Sequence, residues 1–297
     1  MRRLQLWDRW SHSSKPSSMI DLEDGAAEAL FLPIHPGRRF CILHRPSRRR
    51  KIKGAVLCVH PFAEELNKTR RMLAAGSRAL AEEGWAVMQI DLLGCGDSSG
   101  EFKDADWQRW LADLTAAQRW LTEQYEAPLW LWGIRAGCLL AAEALPAMNN
   151  APNLLLWQPV YSGRQHLTQF LRIHEAGEML SGNVERSVTE GVRDQLFAGS
   201  SVEVAGYELA PAMARALHEA EFTLPASYQR VIVVLEVASQ EAGLSPASEV
   251  RFARLEESGC RVKFRVVRGS PFWQTVEITE CRALIEATRL LLSQQST

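Results

Sequence analysis

The segment Gly133-Ile134-Arg135-Ala136-Gly137 has the G-x-S-x-G layout of a turn that carries a nucleophilic serine, with arginine in the central place. The two glycines have a steric role: a strand bending sharply into a helix leaves no room for side chains at those positions. A guanidinium stays protonated and has no lone pair with which to attack a carbonyl, so Arg135 cannot do a serine's work. A buried guanidinium is costly without a partner. Glu64 and Glu65, just after the apolar run Ala55 to His60, are the nearest candidates, with Asp91 further off. Two readings follow: an arginine–carboxylate clamp between loops, or an arginine that meets an anionic ligand through paired hydrogen bonds.

Other reactive residues gather at the same strand ends. His60 opens the loop His60-Pro61-Phe62-Ala63-Glu64-Glu65, where it could activate water or hold the loop by hydrogen bonds. Asp91-Leu92-Leu93-Gly94-Cys95-Gly96-Asp97-Ser98 places Cys95 and Ser98 beside the expected pocket, with Asp91 capping its own turn. Cys95 could act only as a thiolate, with His60 as its sole evident partner. Cys138 follows Gly137 and Cys58 lies within a strand, so both are expected to pack.

The elements that must position these residues alternate. Leu30 to Pro33 and Arg39 to His44 read as a hairpin turning at Pro36-Gly37. Ala55–His60, Trp85–Ile90, Leu129–Ile134, Asn153–Trp157, Val231–Val237 and Val262–Val267 are short apolar runs of the kind buried on both sheet faces. Helices are expected at about 66–83, 105–125, 136–145, 245–257 and 276–292. In the second, Trp107, Trp110, Leu111, Leu114, Ala117 and Leu121 make one apolar face. Alternation implies a doubly wound, mostly parallel α/β sheet with helices on both faces. Tyr161 to Pro225 breaks the rhythm, with helical patches and no buried strand. It reads as a helical cap or lid over the carboxyl ends of the strands. The expected organisation is a disordered or extended segment 1–28, a core of 29–160 and 226–297, and the cap 161–225.

The 297 residues carry a formal net charge of −1, which argues against a general nucleic-acid binder. The basic run from Arg45 to Lys53 is short and reads as a solvated turn or an anionic-surface patch. Six cysteines without C-x-x-C pairing suggest buried reduced thiols in a cytoplasmic protein, with no metal site and no cofactor. No run reaches the roughly 18 apolar residues of a membrane span. Met1 to Ser18 has no apolar core and is not a signal peptide; Met19 is an alternative start.

With these motifs in place, the chain from Ala29 to Leu292 resembles the α/β-hydrolase superfamily. The run Pro61-Phe62-Ala63-Glu64-Glu65-Leu66-Asn67-Lys68 and the Gly-x-Arg-x-Gly turn are similar to the second hydrolase associated with the exosortase A system. The resemblance implies a bacterial cytoplasmic protein linked to exopolysaccharide production and protein sorting. It places the nucleophile at Arg135 and the acid near Glu241. It places the base in Gly269-Ser270-Pro271-Phe272-Trp273, which has no histidine, and none follows. Without both nucleophile and base the proton relay cannot run. Three functions stay open: a binding protein for a small acyl or anionic ligand, an ester or thioester hydrolase using His60, Glu64 or Glu65, and an interaction partner of export machinery contacting it through the lid.

Overall fold

The computed structural model describes residues 27–47, 49–180, 188–240, 243, 246–275, 277 and 279–295. Strands β1 (Ala27–Pro33) and β2 (Arg38–His44) form an antiparallel hairpin. Then come β3 (Gly54–Val59), α1 (Glu64–Glu82), β4 (Trp85–Ile90), α2 (Trp107–Gln124), β5 (Leu129–Ile134), α3 (Gly137–Ala144) and β6 (Asn153–Trp157). Helices α4 (Gly163–Leu180) and α5 (Val188–Ala198), strands β7 (Val202–Val204) and β8 (Tyr207–Leu209), and helix α6 (Pro211–Glu219) follow. The chain closes with β9 (Val231–Ala238), α7 (Pro246–Glu257), β10 (Arg261–Arg268) and α8 (Arg282–Ser293).

Eight strands make one sheet in the order β1-β2-β4-β3-β5-β6-β9-β10, parallel from β4 to β10. Alternation of side chains divides the core. Leu57, Val59, Met88, Leu131 and Leu156 face α2 and α3, while Val56, Cys58, Val87, Trp132 and Trp157 face α1 and α8. From β3 the chain steps outward to β4, then crosses back to β5 on the other side of β3. The strand order therefore reverses at β3, and a crevice opens beyond its carboxyl end and that of β5. Residues 60–65 and Arg135 leave the sheet there.

A buried ion pair braces the other side of the sheet. Arg39 Nε donates to Asp113 Oδ2 at 2.7 Å, with both side chains almost wholly excluded from solvent. The same oxygen accepts from the Leu93 amide at 2.8 Å, and Arg39 Nη1 donates to the carbonyls of Ile34 and Pro36. One carboxylate thus ties β2, α2 and the loop after β4 together.

Two expectations are corrected. The segment between β6 and β9 contains a strand pair, β7–β8, with Val202, Val204 and Leu209 buried. Its two turn residues, Ala205 and Gly206, both have positive φ, as tight hairpins require. Three-residue strands are too short to register as apolar runs. The last helix begins at Arg282 rather than near 276; Cys281 just before it is buried in the α1–α8 core, its amide turned to the Met72 sulfur of α1. The segment 163–220 enters and leaves the sheet at one place. Ser162 bridges Glu221, the Gly163 amide donates to the Ala220 carbonyl, and the Phe222 amide to that of Tyr161.

Candidate ligand pocket at the Arg135 turn

Arg135 follows β5 directly and has φ 52, a left-handed conformation that non-glycine residues seldom adopt. Its amide donates to the Trp157 carbonyl at 3.0 Å, and its carbonyl accepts from the amides of Cys138 and Val160. The flanking glycines are sterically required. A Cβ at Gly133 would lie 2.8 Å from Cys138 Cα, and one at Gly137 would lie 2.3 Å from the Val59 carbonyl oxygen. Gly137→Ala should therefore cost about 1–3 kcal/mol through forced backbone shifts. Urea unfolding would measure it, and a neutral result would show that the turn relaxes.

The guanidinium points toward α1. Its Nε donates to Glu65 Oε1 at 3.2 Å, and its central carbon lies 5.2 Å from the Trp273 ring centre. Glu65 belongs to the first turn of α1, where the helix dipole favours negative charge. Burial outweighs this and the arginine, pushing the carboxyl up to about 7. Glu64 beside it is also raised by burial.

A cavity of about 480 Å³ opens beside this pair. One wall is Glu64, Glu65 and Lys68 of α1, another is Trp273 and Gln274 after β10. The segment between β6 and β9 supplies the rest through His166, Gln169, Phe170 and Ile173 of α4 and Ala205 of the β7–β8 turn. Asn67 Nδ2 donates to the Tyr207 hydroxyl at 3.0 Å, fastening that hairpin to α1. Burial, helped by Arg135, pushes His166 down to about 3, so the ring is neutral at physiological pH.

The other sequence candidates lie elsewhere. His60 is buried; its Nδ1 is 2.8 Å from the Pro61 carbonyl, and its Nε2 is 3.4 Å from the Leu92 amide. With Nδ1 protonated it staples the loops after β3 and β4. Burial lowers its pKa, and it borders a crevice of about 10 Å³. Asp91 pairs with Arg70 at 3.2 Å and accepts from the Asp97 amide at 3.1 Å, so it caps its turn and is not a partner of Arg135. Ser98 Oγ donates to the Asp91 carbonyl and accepts from the Phe40 amide at 2.8 Å, so its hydroxyl is committed to the loop. Cys95 is buried and burial raises its thiol pKa, the opposite of an activated cysteine. Grouping Asp91, Ser98 and Cys95 with the pocket is thus corrected, because they do not line the cavity beside Arg135: Asp91 and Ser98 fasten the loop after β4 to α1 and β2, and Cys95 is packed in the core. Glu241 lies outside the described residues. Among the described residues no cluster of His, Cys, Asp or Glu could hold a metal ion, and no helix is long and apolar enough to cross a membrane.

His166, Lys68 and Gln169 gave no distinguishing signal in the sequence. A single histidine in an amphipathic helix reads as packing, and only the folded chain brings it opposite Glu65.

Residues 50–221, more than half the chain, match the family model described as serine aminopeptidase, S33. The chain belongs to that family. The match spans β3 to α6 and so includes the Arg135 turn, both glutamates and α4. Solved structures share the fold. Est1E from Butyrivibrio proteoclasticus, with ferulic acid bound, aligns at TM-score 0.62 and 17% identity over 91% of this chain and 100% of its own. A soluble variant of monoglyceride lipase from Saccharomyces cerevisiae, in complex with a substrate analogue, aligns at 0.58 and 11% over 96% and 100%. The alpha/beta hydrolase GrgF from Penicillium sp. aligns at 0.57 and 15% over 91% and 98%. This is the α/β-hydrolase fold. No curated protein sequence matches the chain.

Proposed function

We propose that this protein is a binding member of its family, holding a small ligand in a capped pocket without serine-type catalysis. The carrying observation is the Arg135 side chain, lodged between Glu65 and Trp273 at the turn where a nucleophile would stand. The guanidinium cannot attack, and the indole that flanks it, in the segment the family resemblance assigns to the base, cannot accept a proton. Residues 161–225 act as the cap, since α4 and the β7–β8 turn wall the pocket. A fluorophosphonate probe should leave the protein unlabelled. Stoichiometric labelling of any pocket residue would sink the proposal. Arg135→Ser should stay unlabelled as well, because the segment with Trp273 has no histidine to activate the new hydroxyl; labelling of that variant would show that Glu65 or His166 of the same pocket takes that role.

A second reading has its own observation. Glu65 is a buried carboxyl poised near neutrality, with Oε2 unpartnered within the chain. Such a group can activate water as a general base on an ester or thioester. Turnover of an acyl-ester panel that rises with pH through about 7 and disappears in Glu65→Gln would favour it. Turnover unchanged in that variant removes its basis.

The likeness of Pro61–Lys68 and of the Gly-x-Arg-x-Gly turn to exosortase A-associated hydrolases supports a bacterial cytoplasmic setting alongside exopolysaccharide production and protein sorting.

A further inference from the structure

A second cavity, of about 440 Å³, lies at the opposite end of the sheet from Arg135. It opens between the second half of α2, the loop leading into β5, the turn before β6 and Arg230 just ahead of β9. These three strands begin here, whereas Arg135 follows the end of β5. The length of that strand sets the two places on the order of 20 Å apart.

Gln118 is the informative residue. It stands on the inner face of α2, one turn after Leu114 and one turn before Leu121, and is 6% exposed. An amide on that face is costly unless something meets it. Among the described residues its side chain has no hydrogen-bond partner. Nor is the amide sealed from water, because it borders the cavity. Asn153 borders the cavity too. Its Oδ1 accepts from the Val231 amide at 3.1 Å, an N–H that must have an acceptor, so its NH2 group keeps two hydrogens to donate.

Charge selects the ligand. Arg119 and Arg230 both line the cavity, and neither guanidinium has an ion pair or hydrogen bond among the described residues. Glu126, exposed, is the single carboxylate among the described lining residues. A cation would meet two positive charges and one negative. A neutral ligand would leave both guanidinium forks unused. An anion satisfies them through the paired hydrogen bonds that arginine makes with carboxylate or phosphate. The amides of Gln118, Asn149 and Asn150 both donate and accept, which suits hydroxyl groups on the same molecule.

We propose that this cavity is a second binding site, for a small hydroxylated anion bearing a carboxylate or phosphate group. Arg119 and Arg230 hold the charge, and Gln118 and Asn153 meet the hydroxyl groups. The cavity volume lies within the range of small-molecule sites. The site stands apart from the Arg135 pocket and does not depend on the reading given to it.

The test titrates the full chain by calorimetry at low salt with gluconate, inositol monophosphate, their neutral counterparts glucose and inositol, inorganic phosphate, and putrescine. Saturable binding of gluconate or inositol monophosphate is expected, weakening as salt is added. The tighter of the two identifies the anionic group, and either supports the proposal. Inorganic phosphate should bind at least about tenfold more weakly, lacking partners for the amides. Arg119→Gln and Arg230→Gln, both at exposed positions, should each weaken binding by about tenfold. Gln118→Leu should do the same while thermal unfolding stays at or above the wild-type temperature, since an unmet buried amide has been removed. If that variant does not fold, the two arginine variants decide. Neutral sugars bound as tightly as their anions, binding of putrescine instead, inorganic phosphate bound as tightly as inositol monophosphate, anion binding that survives these substitutions, or no binding at all would each overturn the proposal.

Discussion

Replacing Asp113 by alanine is expected to destabilise the protein by about 3–5 kcal/mol, the cost of stranding a buried charge. Arg39 is wholly buried and cannot neutralise itself by losing a proton. The alanine also removes the acceptor of the Leu93 amide, so two donors are orphaned at once. The converse change, Arg39→Met, should cost less, because a carboxyl can take up a proton and an arginine cannot give one away. The double variant Arg39→Met, Asp113→Leu should recover much of the loss, since well-packed apolar groups often replace a buried pair without penalty. With the single variant Asp113→Leu added, urea unfolding of wild type, Arg39→Met, Asp113→Leu and the double variant forms a complete cycle. A loss below about 1 kcal/mol for Asp113→Ala would mean that the pair does not brace the sheet.

The Arg135–Glu65 pair should behave in the opposite way. The Glu65 carboxyl titrates near 7 in the folded chain against an ordinary value of 4.5. An acid whose pKa is raised by folding contributes stability that is fully present below the lower value and lost as pH rises through the higher one. Wild-type stability should therefore fall between about pH 4.5 and 7 through this residue, by a free energy on the order of 3 kcal/mol. Glu65→Gln keeps an acceptor for Arg135 Nε and has nothing to titrate. It should match the wild type near pH 5 and exceed it by up to that amount at pH 8. Arg135→Met removes the cation that holds the carboxyl down, so its decline should continue to higher pH. Chemical unfolding at pH 5, 6, 7 and 8 would read both curves; a Glu65→Gln variant less stable than wild type at pH 8 would refute the expectation. A pair kept at the expense of stability is what a binding or reaction site looks like.

How much of this was legible in the sequence differs by level. Strands buried on both faces announce themselves as apolar runs, so the order of the sheet's elements could be read from segments such as Leu129–Ile134. The turn at Arg135 could be read because its glycines are demanded by backbone geometry rather than by any partner. The pocket was harder. Glu64, Glu65 and Arg135 carry charges that call for partners, so their meeting had a physical basis in the sequence. Asp91 and Ser98 offered the same kind of chemistry, yet their hydrogen bonds are spent within their loop and on Arg70 and the Phe40 amide, and residue type alone does not tell a satisfied polar group from an available one. His166 and Trp273 lie roughly a hundred residues apart; the first carried no signal in the sequence, and the second appeared only as a residue in a segment without a base. Their unmet nitrogens become visible only when the fold is known.

The antiparallel bridge between Ser162 and Glu221 has a consequence for how the pocket is built. Because residues 163–220 leave and rejoin the sheet at neighbouring points, they are attached as a plug is to a socket. Changes at the exposed positions of that stretch are expected to leave the strands undisturbed, whereas Leu167, Phe170, Met213 and Leu217 pack in the same core as the sheet. Arg135, Glu65 and Trp273 stand on the socket, while His166, Gln169 and Phe170 stand on the plug. One half of the pocket's walls is thus set by the sheet, and the other by a segment joined to it at a single place.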